Sequence, residues 1–159
     1  MGKSTVILIA SVVCLLSLVG ISEGSIGSKN HILTIEGRVY CDPCRSAFQS
    51  KLSEPLAGAR VQLQCHRLKT KKVTFISAAM TNSIGYYRIL LEGQHRNESC
   101  VVNLVSSPRE DCNVHPGNDV NPSKAVISLS DRQFTDGEVY APTPLRFLTN
   151  KPSPECVQD

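Results

Sequence analysis

Between Leu33 and Leu104, hydrophobic residues recur at every second position in one short segment after another. Leu33, Ile35, Val39 and Cys41 fall on one face, with Thr34, Glu36, Arg38 and Tyr40 opposite. A period of two is the mark of a half-buried strand, and Gly37 within it weakens the strand or marks a bulge. Ala59, Val61, Leu63 and Cys65 alternate with Arg60, Gln62 and Gln64 in the cleanest case. The polar run Arg67 to Lys72 reads as a turn, and Val73 to Ala79 as the returning strand. Asn82-Ser83-Ile84-Gly85 is a second turn, leading into Tyr87, Ile89 and Leu91. After the polar connection Glu92 to Ser99, Cys100, Val102 and Leu104 continue the pattern as far as Pro108.

Elsewhere the periodicity fades. Arg45 to Ser53 suits a helical turn or two ended by Pro55, and Asp111 to Ser123, with Pro116, Gly117 and Pro122, reads as one long loop. Val126 to Leu129 and Glu138 to Tyr140 are short strand candidates. Pro142, Pro144, Pro152 and Pro154 predict an extended tail held by Cys156. Short strands separated by turn chemistry predict an all-β fold, an antiparallel barrel or sandwich of about seven strands.

Composition adds a compartment. The chain has 159 residues, enough for one domain. Val6 to Ile21 is apolar apart from Ser11, Ser17 and Gly20; it follows Lys3 and gives way to the small residues Ser22 and Gly24. This is the layout of a secretory signal peptide cleaved after Gly24, too short for the roughly 18–20 residues of a membrane span. The expected division is a signal peptide over 1–24, a flexible lead-in and first-strand start over 25–34, a β-domain over 35–156 and a tail over 157–159. Cleavage removes Cys14 and leaves Cys41, Cys44, Cys65, Cys100, Cys112 and Cys156. An even count in an exported chain implies three disulfides, with fifteen pairings open. Each bridge closing a loop of tens of residues adds about 3–4 kcal/mol, useful to a domain without Trp. The net charge is +3, too mild to imply nucleic acid. No membrane partner is expected once the signal peptide is gone.

Candidate chemistry is sparse. Cys41-Asp42-Pro43-Cys44 has the spacing of a redox dithiol, but four further cysteines need partners and no βαβ pattern surrounds it. His31, His66, His95 and His115 lack zinc-ligand spacing and read as loop histidines. After Gly24 there is no Gly-x-Ser-x-Gly elbow and no His-Glu-x-x-His pair. Glu110, Asp111, Asp131 and Asp136 read as solvated loop carboxylates rather than a glycosidase pair. No catalytic residue, cofactor or metal is therefore assigned. Arg67, Lys69, Lys71 and Lys72 make a charged turn that, if it binds, suits an acidic wall polysaccharide or an acidic receptor surface. Tyr86 and Tyr87 offer rings for sugar stacking, with one of the two expected to pack inward. Asn97-Glu98-Ser99 is an N-glycosylation acceptor, whereas Asn121-Pro122-Ser123 is excluded by its proline.

The run Glu36-Gly37-Arg38-Val39-Tyr40-Cys41-Asp42-Pro43-Cys44-Arg45 fills every fixed position of the opening signature of the pollen Ole e 1 allergen and extensin family. Leu56 to Cys65 resembles that family's second strand. Thr81 to Tyr87 resembles its Thr-Asp-x-x-Gly-x-Tyr turn, with Asn82 in place of the acid. Ser106-Ser107-Pro108-Arg109-Glu110-Asp111-Cys112 resembles its Ser-Pro-x-x-Asp-Cys segment. The resemblance runs from about Ile35 to Cys156. It implies a disulfide-bonded β-barrel with bridges Cys41–Cys112, Cys44–Cys156 and Cys65–Cys100. It also implies an extracellular, non-enzymatic glycoprotein of the plant cell wall space, a binding or signalling module of pollen or other growing tissue that engages a receptor ectodomain or a wall component. The alternative is a structural, matrix-associated wall protein retained on acidic polysaccharide through the basic turn. The long proline-rich arms of extensin-like members are missing here, which argues against a cross-linked wall polymer.

Overall fold

The computed structural model describes residues 32–46, 48–95, 97–117, 124–127, 137–140 and 143–156, with backbone alone for 137–140. The expected signal peptide, the lead-in as far as His31, the tail 157–159, and Leu129, Asp131 and Asp136 lie outside the described residues. The alternating segments form β1 (Ile32–Asp42), β2 (Glu54–Pro55), β3 (Arg60–Arg67), β4 (Val73–Met80), β5 (Tyr86–Glu92), β6 (Glu98–Ser106), β7 (Lys124–Ile127), β8 (Gly137–Tyr140) and β9 (Leu145–Leu148). Two sheets result. In one, β4-β3-β6-β7 pair in that order; in the other, β1 is joined by β2, β5, β8 and β9. Ile35, Val61, Leu63, Ile89, Leu91, Val102 and Phe147 belong to the buried cluster, each such side chain contributing about 1.5–3 kcal/mol.

The all-β expectation holds, and the strand predicted from Leu33 is the one around which the first sheet is built. Its lower half pairs with β5 from Ile32 to Arg38 and with β8 from Leu33 to Glu36. Its upper half pairs with β2 at Tyr40 and Cys41 and with β9 from Val39 to Asp42. The β8 and β9 pairings are parallel, where antiparallel neighbours alone were expected. The chain reaches β1 from both directions, because the segments after β7 return along it rather than as a hairpin.

Two expectations are corrected and one is met. Arg45 to Ser53 forms no helix among its described residues: the Ser53 amide donates to the Ser50 carbonyl, and the Ser50 hydroxyl accepts from the Leu52 amide. Serine side chains here offer the backbone an alternative to helical bonding. The proline-bearing tail is extended and tied through Cys156 to Cys44, as expected, with Leu145 to Leu148 forming a strand whose four residues are all buried. Gly37 marks no bulge, because the β1–β5 register runs through it without a shift.

Gly37 is instead a seat for an aromatic ring. It lies directly opposite Tyr87, and a methyl group on it would meet the Tyr87 Oη, Cζ and Cε1 at 2.3, 2.5 and 2.9 Å. The preceding turn delivers that ring. Asn82 Oδ1 accepts from the amides of Ile84 and Tyr86, and Gly85 has φ +72° with the Val39 carbonyl too close for a side chain. Thr81 is buried; its Oγ1 accepts from the Ala59 amide and donates to the Leu56 carbonyl. An amide oxygen serves the turn as a carboxylate oxygen would, so Asn82 can stand where the resembling family carries an acid.

Candidate binding surface

Cys41 and Cys44 close separate bridges, Cys41–Cys112 and Cys44–Cys156, and the third is Cys65–Cys100. Neither cysteine of the CxxC run carries a free thiol, which removes the dithiol reading. The residues between and after them are structural too. Asp42 Oδ1 accepts from the Cys44 amide, and Arg45 donates through Nη1 to the Thr149 and Asn150 carbonyls. The Ser153 amide adds a bond to the Pro43 carbonyl, so the tail is held by one covalent and several polar contacts. Asp42 Oδ2 lies 3.6 Å from Arg146 Nε, both side chains essentially inaccessible. Burial pushes the Asp42 carboxyl up, opposed by the Cys44 amide and the Arg146 charge. Sequence reading missed this pair, because a charged residue in a proline-flanked tail gave no core signal.

The basic turn joins β3 to β4. Arg67, Lys69, Lys71 and Lys72 are all exposed. Lys71 sits at φ 57°, its amide donating to the Arg67 carbonyl at 2.8 Å, while the Arg67 amide reaches the Lys72 carbonyl at 2.9 Å. His66, in β3 rather than in a loop, places Nδ1 3.3 Å from the Lys71 carbonyl. The backbone of the turn is therefore fixed and its four cationic heads project into solvent. A cleft of about 430 Å³ lies beside it, lined by Arg67, Leu68, Lys69, Gln94, Asn97 and Glu98.

The remaining candidates have partners within the fold. His95 is buried, with Nδ1 2.5 Å from Glu98 Oε2, Nε2 3.0 Å from the Glu92 carbonyl and its ring edge-on to Phe75. Cys65, His95 and Glu98 bring a sulfur, a nitrogen and an oxygen within 4.8 Å of one another, but that sulfur is bonded to Cys100 and is no thiolate. His115 packs edge-on against Phe147. Arg109 is held by Glu54 and Asp111 at the rim of a cleft of about 250 Å³; bonding to Arg109 lowers the Asp111 carboxyl below its ordinary range. Those two carboxylates thus clamp a guanidinium. Tyr87 is buried and Tyr86 half-buried, so no paired aromatic platform forms.

Residues 31–159 match the family described as pollen protein Ole e 1 like. The chain is 37% identical over 148 residues to the anther-specific protein LAT52 of Solanum lycopersicum, spanning 93% of this chain and 86% of that one. It is 40% identical over 126 residues to the major pollen allergen Lig v 1 of Ligustrum vulgare, spanning 78% and 83%. The crystal structure of the major plantain pollen allergen Pla l 1 superposes with a TM-score of 0.65 at 31% identity, covering 79% of this chain and 99% of that one.

Proposed function

The chain belongs to the Ole e 1-like family of pollen proteins, and from that membership we propose that it is a secreted, non-enzymatic binding module of the pollen wall space. Its ligand is an acidic extracellular surface, presented by a receptor ectodomain or by a cell-wall polysaccharide. The observation that carries this reading is the basic turn: Arg67, Lys69, Lys71 and Lys72 exposed together on a hydrogen-bonded backbone. Clustered cations of one sign attract polyanions and speed their encounter. An N-terminal stretch laid out like a leader, three disulfides and relatives named as anther or pollen proteins support export.

Retention on immobilised polygalacturonate, eluted by a salt gradient, tests it. Attraction between exposed charges falls as the Debye length shrinks, so elution at moderate salt is expected. The triple change Lys69→Gln, Lys71→Gln and Lys72→Gln should weaken binding about tenfold, three surface contacts of about 0.5 kcal/mol each. Saturable binding to an ectodomain that survives the triple change would place recognition elsewhere and refute the role of the turn.

A further inference from the structure

Asn97 opens the acceptor Asn97-Glu98-Ser99, and the fold sets it against the basic turn. Arg67 pairs with Glu98 in the β3–β6 ladder. One step further the Leu68 amide donates to the Asn97 carbonyl over 2.9 Å. The ladder thus runs on from the strands into the two connections, fixing the acceptor relative to Arg67 and Lys69. Asn97, Leu68 and Lys69 are exposed. All three line the cleft of about 430 Å³, together with Arg67, Gln94 and Glu98. Glu98 presents little charge there, its side chain being 10% exposed and its carboxylate turned to His95.

From this juxtaposition we propose that Asn97 carries an N-linked glycan whose first sugars lie in the cleft over Arg67 and Lys69, so that occupancy of Asn97 regulates access to the basic turn. The regulatory part rests on the polyanion-binding reading above. In the attachment step, Asn97 Nδ2 exchanges one N–H for a bond to the anomeric carbon of a lipid-diphosphate-linked oligosaccharide. The anomeric C–O bond breaks, and lipid diphosphate leaves with the displaced proton. A cleft of this size lies within the range of small-ligand sites and accepts one or two sugar rings. Leu68 offers an apolar face to a ring, while Gln94, Arg67 and Lys69 offer donors to its hydroxyl and carbonyl oxygens. A neutral glycan adds no charge; it acts by covering two cations. Lys71 and Lys72 are not part of the cleft lining, so weakening rather than abolition of polyanion binding is expected.

The test uses the full chain secreted from plant cells, as wild type, Asn97→Gln and Ser99→Ala. Neither substitution touches the Asn97 carbonyl that Leu68 requires, and the second keeps Asn97 itself. Peptide mass mapping reads occupancy, lysine acetylation footprinting reads coverage, and salt elution from polygalacturonate reads access. Expected are a glycopeptide at Asn97, slower acetylation of Lys69 than of Lys71 and Lys72 in the wild type alone, and polygalacturonate binding roughly fivefold tighter in both variants. An unmodified Asn97, or equal Lys69 reactivity in all three proteins, overturns the proposal. Protection of Lys69 with equal salt-sensitive retention in all three overturns the regulatory part. Protection without salt-sensitive retention of any form overturns the binding reading, and the regulation with it.

Discussion

Replacing Gly37 by Ala isolates the contact between β1 and the Tyr87 ring. A glycine in a strand interior ordinarily costs about 0.5–1 kcal/mol relative to alanine, so an unremarkable Gly37 would be improved by the change. The structure gives the opposite sign. The new methyl carbon would stand 2.3 Å from the Tyr87 Oη and 2.5 Å from Cζ, where carbon contacts settle at about 3.5–4.0 Å. The ring must retreat by about an ångström, yet it is 1% exposed beneath a paired sheet. Overpacking of this kind costs about 1–3 kcal/mol; less the backbone gain, Gly37→Ala should destabilise by about 1–2 kcal/mol. Tyr87→Ala alone should cost about 3–5 kcal/mol. With the ring gone, adding Gly37→Ala should become stabilising by about 0.5–1 kcal/mol. This reversal within one double-mutant cycle is the signature of the contact. Urea unfolding followed by far-UV circular dichroism, with the disulfides kept oxidised, reads all four proteins without relying on the tyrosine being changed. Equal or greater stability of Gly37→Ala in the wild-type background, or an undiminished cost in the Tyr87→Ala background, would refute the reasoning.

Tyr87→Phe should raise stability by about 1 kcal/mol in the same assay, because the hydroxyl is buried without a hydrogen-bond partner among the described residues. Replacing Cys44 and Cys156 together by Ser opens a bridge spanning 112 positions. It should cost about 2–5 kcal/mol and expose the tail near Ser153 to faster limited proteolysis. The folded carboxyl of Asp111 lies below its ordinary 3.8. Its ion pair with Arg109 therefore contributes stability above that pH, lost as pH falls through the folded value. Asp111→Asn should flatten the urea midpoint's dependence on pH below about 4, a steeper dependence being the contrary result.

What the sequence reveals follows from how local its causes are. Alternation marks β3, β5 and β6 because one face of each is buried and the other wet, and the basic turn reads directly from adjacent lysines. Strand β9 escapes because Leu145, Arg146, Phe147 and Leu148 are all buried, and a strand buried on both faces has no alternation to show. Arg146 also argues against a core position until Asp42, about a hundred residues earlier, is seen beside it. The helical turn expected within Arg45 to Ser53 gives way to Ser50 and Ser53 side chains bonding to nearby backbone. Of the candidate surface, the cations and the acceptor Asn97 are legible singly. Their adjacency depends on the β3–β6 register, a non-local fact.

The position of β1 sets a timetable for making the protein. This first strand of the domain is completed by β8 and β9, with Val39 paired to Leu145 and Leu33 to Gly137, so its last partners are synthesised about a hundred residues after it. At about 5–20 residues per second, β1 waits roughly 5–20 seconds for these last partners, although β5 can pair with Leu33 and Ile35 sooner. Non-local pairing also slows the final closure. The strand order thus leaves one edge of β1 open late in synthesis, and damage to β9 should be felt first as poor yield.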